Sequence, residues 1–144
     1  MLTIHTDVSE LKKKIAITGR QSLAIPLNAF ARDLSELIDK NFDKEVDPRD
    51  RKWVDLKPAT WARKRTRKIL TETGRLRRSI RVTGNRSGIT IQANTEYAKY
   101  LQFGTSKMPA RPFIGWSPKW LNLLRERIVK HVRNRAKRDA RTGK

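Results

Sequence analysis

Residues 26–42 read PLNAFARDLSELIDKNF. Leu27, Phe30, Ala31, Leu34, Leu37, Ile38 and Phe42 recur every three or four positions, while Arg32, Asp33, Glu36, Asp39 and Lys40 fall between them. That spacing puts one apolar stripe on one side of an α-helix. Pro26 suits its first turn, where no amide hydrogen bond is lost. A single amphipathic helix must bury its stripe against something else, so the rest of the chain has to supply a second layer.

Downstream, Ile89 and Ile91 alternate with Thr90 and Gln92, a strand with one buried face. A partner strand is expected over Ser79–Thr83, with GNRSG (84–88) as a flexible turn, so the two form a β-hairpin. Upstream, Leu2, Ile4 and Val8 suggest a further short strand. Asp7 and Glu10 have the spacing of a capping box before a short helix carrying Leu11 and Ile15, ended near Gly19.

Between helix and hairpin, residues 43–58 (DKEVDPRDRKWVDLKP) lose the period and read as a loop anchored by Trp53 and Leu56. A short basic helix is expected from about Ala59 to Ile69, with Pro58 near its start and Trp61 inward, then a turn at Gly74. After the hairpin, Tyr97 and Leu101 are four apart and face inward on a short helix from about Glu96. Gly104 ends it, and Pro109 and Pro112 prevent its continuation. Ser117 and Pro118 form an N-cap and first-turn pair. Trp120, Leu121, Leu124, Ile128 and Val132 then mark a final amphipathic helix. The fold class is α+β: two long amphipathic helices on a small antiparallel sheet with open edges, a single domain over 1–132. Residues 133–144 carry no stripe and are expected to be disordered or a basic arm.

The chain has 144 residues, 34 Lys+Arg against 14 Asp+Glu, and a formal net charge of +20. Such an excess disfavours a compact monomer by self-repulsion and favours polyanions or acidic surfaces as partners. There is no cysteine, hence no disulfide and no thiolate chemistry. The start, MLTIHTDVSELKKK, lacks the apolar core of a signal peptide, and no run is long enough to span a membrane.

No catalytic set emerges, and no metal or cofactor is expected. His5 and His131 stand far apart in sequence, too few for a zinc site. Asp43, Glu45, Asp47, Asp50 and Asp55 invite the idea of a Mg²⁺-dependent nuclease. Lys44, Arg49, Arg51 and Lys52 lie among them, however, and read more simply as partners in a solvated loop. The spacing also misses a calcium loop, because Pro48 stands where a Gly is required and no Glu closes it. Ser79 and Ser117 lack the setting of a nucleophile. Basic residues are more telling. Arg63, Lys64, Arg65, Arg67, Lys68, Arg75, Arg77, Arg78 and Arg81 form one run. Lys130, Arg133, Arg135, Lys137, Arg138 and Arg141 form another. They suit sequence-independent contact with a nucleic-acid backbone, or equally an acidic protein neighbour.

Four segments, in order, resemble tailed-phage virion morphogenesis proteins, a group that includes the tail completion protein of P2-like phages and the G protein of phage Mu. The resemblance covers about residues 25–132. The matching positions are Trp53, Pro58 and Thr60, then Leu70, Thr73, Gly74, Leu76, Ser79 and Ile80. Tyr97, Ala98, Gln102 and Gly104 follow, and then Ala110, Arg111, Pro112, Phe113, Ile114 and Gly115. The resemblance implies a structural, non-enzymatic protein of the virion tail or neck, made in the host cytoplasm. It would complete or terminate the tail and help join it to the head. Its fold would be similar to head–tail joining proteins, which act as rings, commonly hexamers, so the partners would be copies of itself, the tail tube and the head connector. The alternative is a nonspecific nucleic-acid-binding protein. The stiff segment 105–113 nominates Met108, Arg111 and Phe113 as subunit contacts. For Phe113 the competing reading is core packing, and for Arg111 a hydrogen bond to carbonyls at the corner. The basic runs would line a DNA path or meet acidic partners.

Overall fold

The computed structural model describes residues 1–7, 27–85 and 88–143. The expected contributions of Val8, Glu10, Leu11, Ile15, Gly19 and Pro26, and the tip of the 84–88 turn, lie outside the described residues.

Three strands form one antiparallel sheet in the order β1-β3-β2: β1 (Leu2–Asp7), β2 (Ile80–Gly84) and β3 (Gly88–Ala93). The expected hairpin supplies β2 and β3, and the N-terminal strand adds to the far side of β3. The register explains the core. Ala93 pairs with Leu2 and Ile80, Ile91 with Ile4 and Val82, and Ile89 with Thr6 and Gly84. Side chains alternate across a strand, so the apolar members of these rows share one face. Ile89, Ile91 and Ala93 at its centre are fully buried. The opposite face is polar, with Thr90 beside His5 and Thr83, and the Thr90 hydroxyl lies 2.8 Å from His5 Nδ1.

The helix expected from residues 26–42 is present as α1 (Leu27–Lys44). Its Leu27, Phe30, Ala31, Leu34, Ile38 and Phe42 are buried, and it lies against the sheet chiefly over β2. Burying each large side chain stabilises the fold by about 1.5–3 kcal/mol. The third row of the sheet holds Gly84 for a steric reason. A Cβ there would come within 2.4 Å of the Leu27 carbonyl oxygen, where α1 begins.

Two expectations for the following segment need correction. The basic helix stops after one and a half turns, as α2 (Pro58–Arg63). Lys64 is extended, and its ammonium bonds the Thr71 carbonyl at 2.8 Å, Glu72 at 2.9 Å and the Thr66 hydroxyl at 3.1 Å. These bonds fold 64–74 into a loop instead of a further turn. Ser79 does not open the strand either. It closes a one-turn helix, α3 (Arg75–Ser79), capped by Gly74, and β2 starts at Ile80. Leu76 is the residue this turn buries.

The last two helices are α4 (Ala98–Phe103) and α5 (Pro118–Thr142). Gly104 ends α4 with φ 75°, and its missing Cβ lets the Ala110 amide approach. Ser117 caps α5, accepting from the Trp120 amide at 3.3 Å. Trp120, Leu124 and Ile128 are buried at steps of four. Leu121, expected on the same stripe, is exposed. The expected disorder after Val132 is not found: the basic arm continues α5 as helix to Thr142.

Candidate functional site

Three of the four segments that carry the family resemblance, distant in sequence, meet at one corner. Trp53 rests edge-on against Phe42, with ring centres 5.3 Å apart, and its indole N–H donates to the Pro112 carbonyl at 2.6 Å. Arg111 is 5% exposed. Its Nε donates to the Val54 carbonyl at 2.6 Å and its Nη2 to the Asp55 carbonyl at 2.9 Å. Its own amide donates to the Leu101 carbonyl at 2.8 Å.

Gln102 completes the corner from α4. Its Oε1 accepts from the amides of Phe113 (3.1 Å) and Ile114 (3.2 Å), and its Nε2 donates to the Ile114 carbonyl at 2.6 Å. One side chain therefore does for an irregular segment what a neighbouring strand would do, satisfying buried backbone groups. The result is a clip: 53–55, 101–102 and 111–114 are bound together through main-chain carbonyls and amides.

Two of the residues expected at subunit contacts are buried within the chain. Phe113 is fully buried, 6.0 Å from the Phe42 ring, and packs as core. The Arg111 guanidinium is spent on the corner's own carbonyls, and burial lowers its pKa from the usual arginine range. Met108 is half-buried, in a turn where Thr105 N donates to its carbonyl at 2.9 Å. Tyr97, expected to face inward, is at the exposed boundary, and Leu101 is half-buried. The clip leaves three aromatics outside: Tyr97 at the N-cap of α4, and Tyr100 and Phe103 on it, three apart, with Phe103 69% exposed. Val54 is exposed as well. Sequence reasoning missed this row because aromatics at helical spacing ordinarily mark a core face.

The acids of 43–55 each have an assigned partner. Asp43 receives Arg77 Nη1 at 2.8 Å, and Asp39 receives Arg77 Nε at 2.7 Å. The Arg77 hydrogen bond holds the Asp43 carboxyl below the usual range. Those same acids raise the Arg77 pKa. Glu45 accepts the Ile69 amide, Asp50 pairs with Lys119, and Asp55 accepts from Leu56 N and the Trp61 indole. Asp47 is buried and organises its own loop, accepting the amides of Arg49 and Arg51 and the Arg51 Nε. No group of three or more His, Asp or Glu among the described residues is placed to hold a metal ion.

The basic candidates divide. Arg77 is committed to Asp39 and Asp43, and Lys68 stands 3.9 Å from Asp43. Lys64 is tied into the 64–74 loop, where its hydrogen bond holds Glu72 below the ordinary carboxylate range. Arg63, Arg65, Arg67, Arg75 and Arg78 are exposed around α2, that loop and α3. Arg133, Lys137 and Arg138 are exposed on the second half of α5, and Arg135 is half-buried.

Among the described residues no helix is long and apolar enough to cross a membrane. No curated protein and no solved structure matches the chain. With its conspicuous residues devoted to holding a corner and no reactive group at that corner, the chain belongs to the phage virion morphogenesis family, whose model matches residues 4–133.

Proposed function

We propose that this protein is a non-catalytic subunit that completes or terminates the phage tail and helps join it to the head. In this reading it acts as a ring, commonly a hexamer, at the head-proximal end of the tail. The observation that carries it is the clip with an apolar exterior. A rigid corner, closed by Gln102, Arg111 and Trp53, holds Tyr100 and Phe103 outward from a chain of net charge +20. Exposed aromatics on a rigid base suit anchoring in a neighbouring subunit. Closed rings bury such a patch on every copy and add stability that depends on concentration.

The test is native mass spectrometry and light scattering of the full chain and of Phe103→Asp. A discrete oligomer for the parent and a monomer for the variant are expected. A parent that stays monomeric at all concentrations, and that is also missing from purified particles, refutes the proposal.

A further inference from the structure

Beyond Val132, which is half-buried against the edge of the core, α5 has no counterpart there. Ile128 is its last buried residue, yet the helix runs on to Thr142. Within that stretch Lys130, Arg133, Lys137 and Arg141 follow one another at steps of three, four and four, and all four are exposed. At 100° per residue these steps keep them on one stripe, and the stripe lies on the side of the helix away from Trp120, Leu124 and Ile128. With 1.5 Å of rise per residue, the four charges are about 4.5–6 Å apart and span about 16 Å. None has a hydrogen bond or ion pair from its side chain among the described residues. Glu126 precedes the stripe by one turn, and Asp139 projects from another side of the helix.

We propose that this stripe is a binding surface for the phosphate backbone of duplex DNA. A row of cations at regular intervals of a few ångströms matches a polymer with regularly spaced negative charges, which it binds by counterion release. An acidic protein is the poorer fit. Protein interfaces are centred on desolvated apolar or aromatic anchors, and Val129, on the flank, is the one exposed large apolar side chain on this half of α5. Like charges three and four apart repel along a helix, so an anion laid on the stripe also favours the helix itself. This surface does not depend on ring formation: it belongs to one chain.

The experiment measures binding of a labelled random-sequence 25-base-pair duplex by fluorescence anisotropy, using the full chain at several salt concentrations. The parent is compared with the quadruple variant K130Q/R133Q/K137Q/R141Q and with R63Q/R65Q/R67Q/R75Q, which loses the same charge elsewhere. Neutralising four phosphate contacts is expected to flatten the plot of log affinity against log salt by about 3.6, from about 0.9 per contact. Between 50 and 200 mM salt the parent then loses about 150-fold more affinity than the α5 variant does. Equal losses in both variants overturn the proposal, because net charge alone would then explain binding. Parent binding to polyglutamate as tight as to the duplex, lost equally in the α5 variant, overturns it in favour of an acidic protein partner. Circular dichroism checks that each variant is folded. If the quadruple variant is not, R133Q/K137Q/R141Q, which removes three of the four cations, is compared with R63Q/R65Q/R67Q.

Discussion

Replacing Gln102 with Ala tests the clip most directly. The side chain makes three hydrogen bonds, all with backbone groups of Phe113 and Ile114, and all in the buried interior. Truncation leaves two amides and one carbonyl without partners. Each such buried group costs about 1–3 kcal/mol, and because Gln102 sits close enough to the surface for some water to follow, about 3–5 kcal/mol is expected in total. Against the 5–15 kcal/mol that holds a domain of this kind together, the loss is severe. It corresponds to a fall in melting temperature of about 10–15 °C. Urea denaturation followed by tryptophan fluorescence reads it as a lower midpoint at unchanged slope. Gln102→Leu is the decisive companion: it restores volume but not hydrogen bonding, so it should remain close to Gln102→Ala. If Gln102→Leu matches the parent, the site needs bulk and the hydrogen-bond reasoning is wrong.

Two further predictions follow from the same geometry. Arg111→Lys keeps the charge but cannot reach two carbonyls with a planar fork, so a loss of about 1.5–3 kcal/mol is expected in the same urea assay, and a midpoint equal to the parent's refutes the corner's dependence on the guanidinium. Acid stability should depend on Asp43 and Glu72. Both carboxyls are held below their ordinary range, by hydrogen bonds to Arg77 and Lys64 respectively. A depressed folded-state pKa contributes stability above the unfolded value and loses it as pH falls through the folded one. The parent should therefore weaken as pH drops below about 4, and D43N/E72Q should weaken less steeply over that window. Parallel curves of urea midpoint against pH would show that these pairs do not contribute.

The main helix and the hairpin were legible because their signals are local. The stripe from Leu27 to Phe42 has one period, and the alternation at Ile89 and Ile91 has another. The short helix ending at Gly104 was legible too, but the one after Pro58 was read too long, because composition and contact disagreed. Arg and Lys after Thr60 are good helix formers, yet Lys64 bonds a carbonyl seven residues on and ends the helix there. The clip was legible only in part: a bond from Arg111 to carbonyls at the corner was one of two readings, but which carbonyls it reaches was not. Arg111 reaches carbonyls 56 and 57 residues away, and Trp53 reaches one 59 away. A carbonyl has no letter in the sequence, so no pattern of side chains announces it. The helical arm was hidden because its period is written in charge, where apolar spacing was sought.

That reliance on carbonyls divides the corner into readers and read. Trp53, Gln102 and Arg111 recognise the path of the chain, and Val54 contributes only its peptide oxygen to Arg111, while Asp55 adds the attraction of its carboxylate to its carbonyl's hydrogen bond. Val54 can therefore change its side chain while its carbonyl stays in place, and that side chain points into solvent. The corner thus joins a fixed frame to an exchangeable outer skin. A lineage adapting to a new neighbour could rewrite the skin one residue at a time, without renegotiating the fold beneath it.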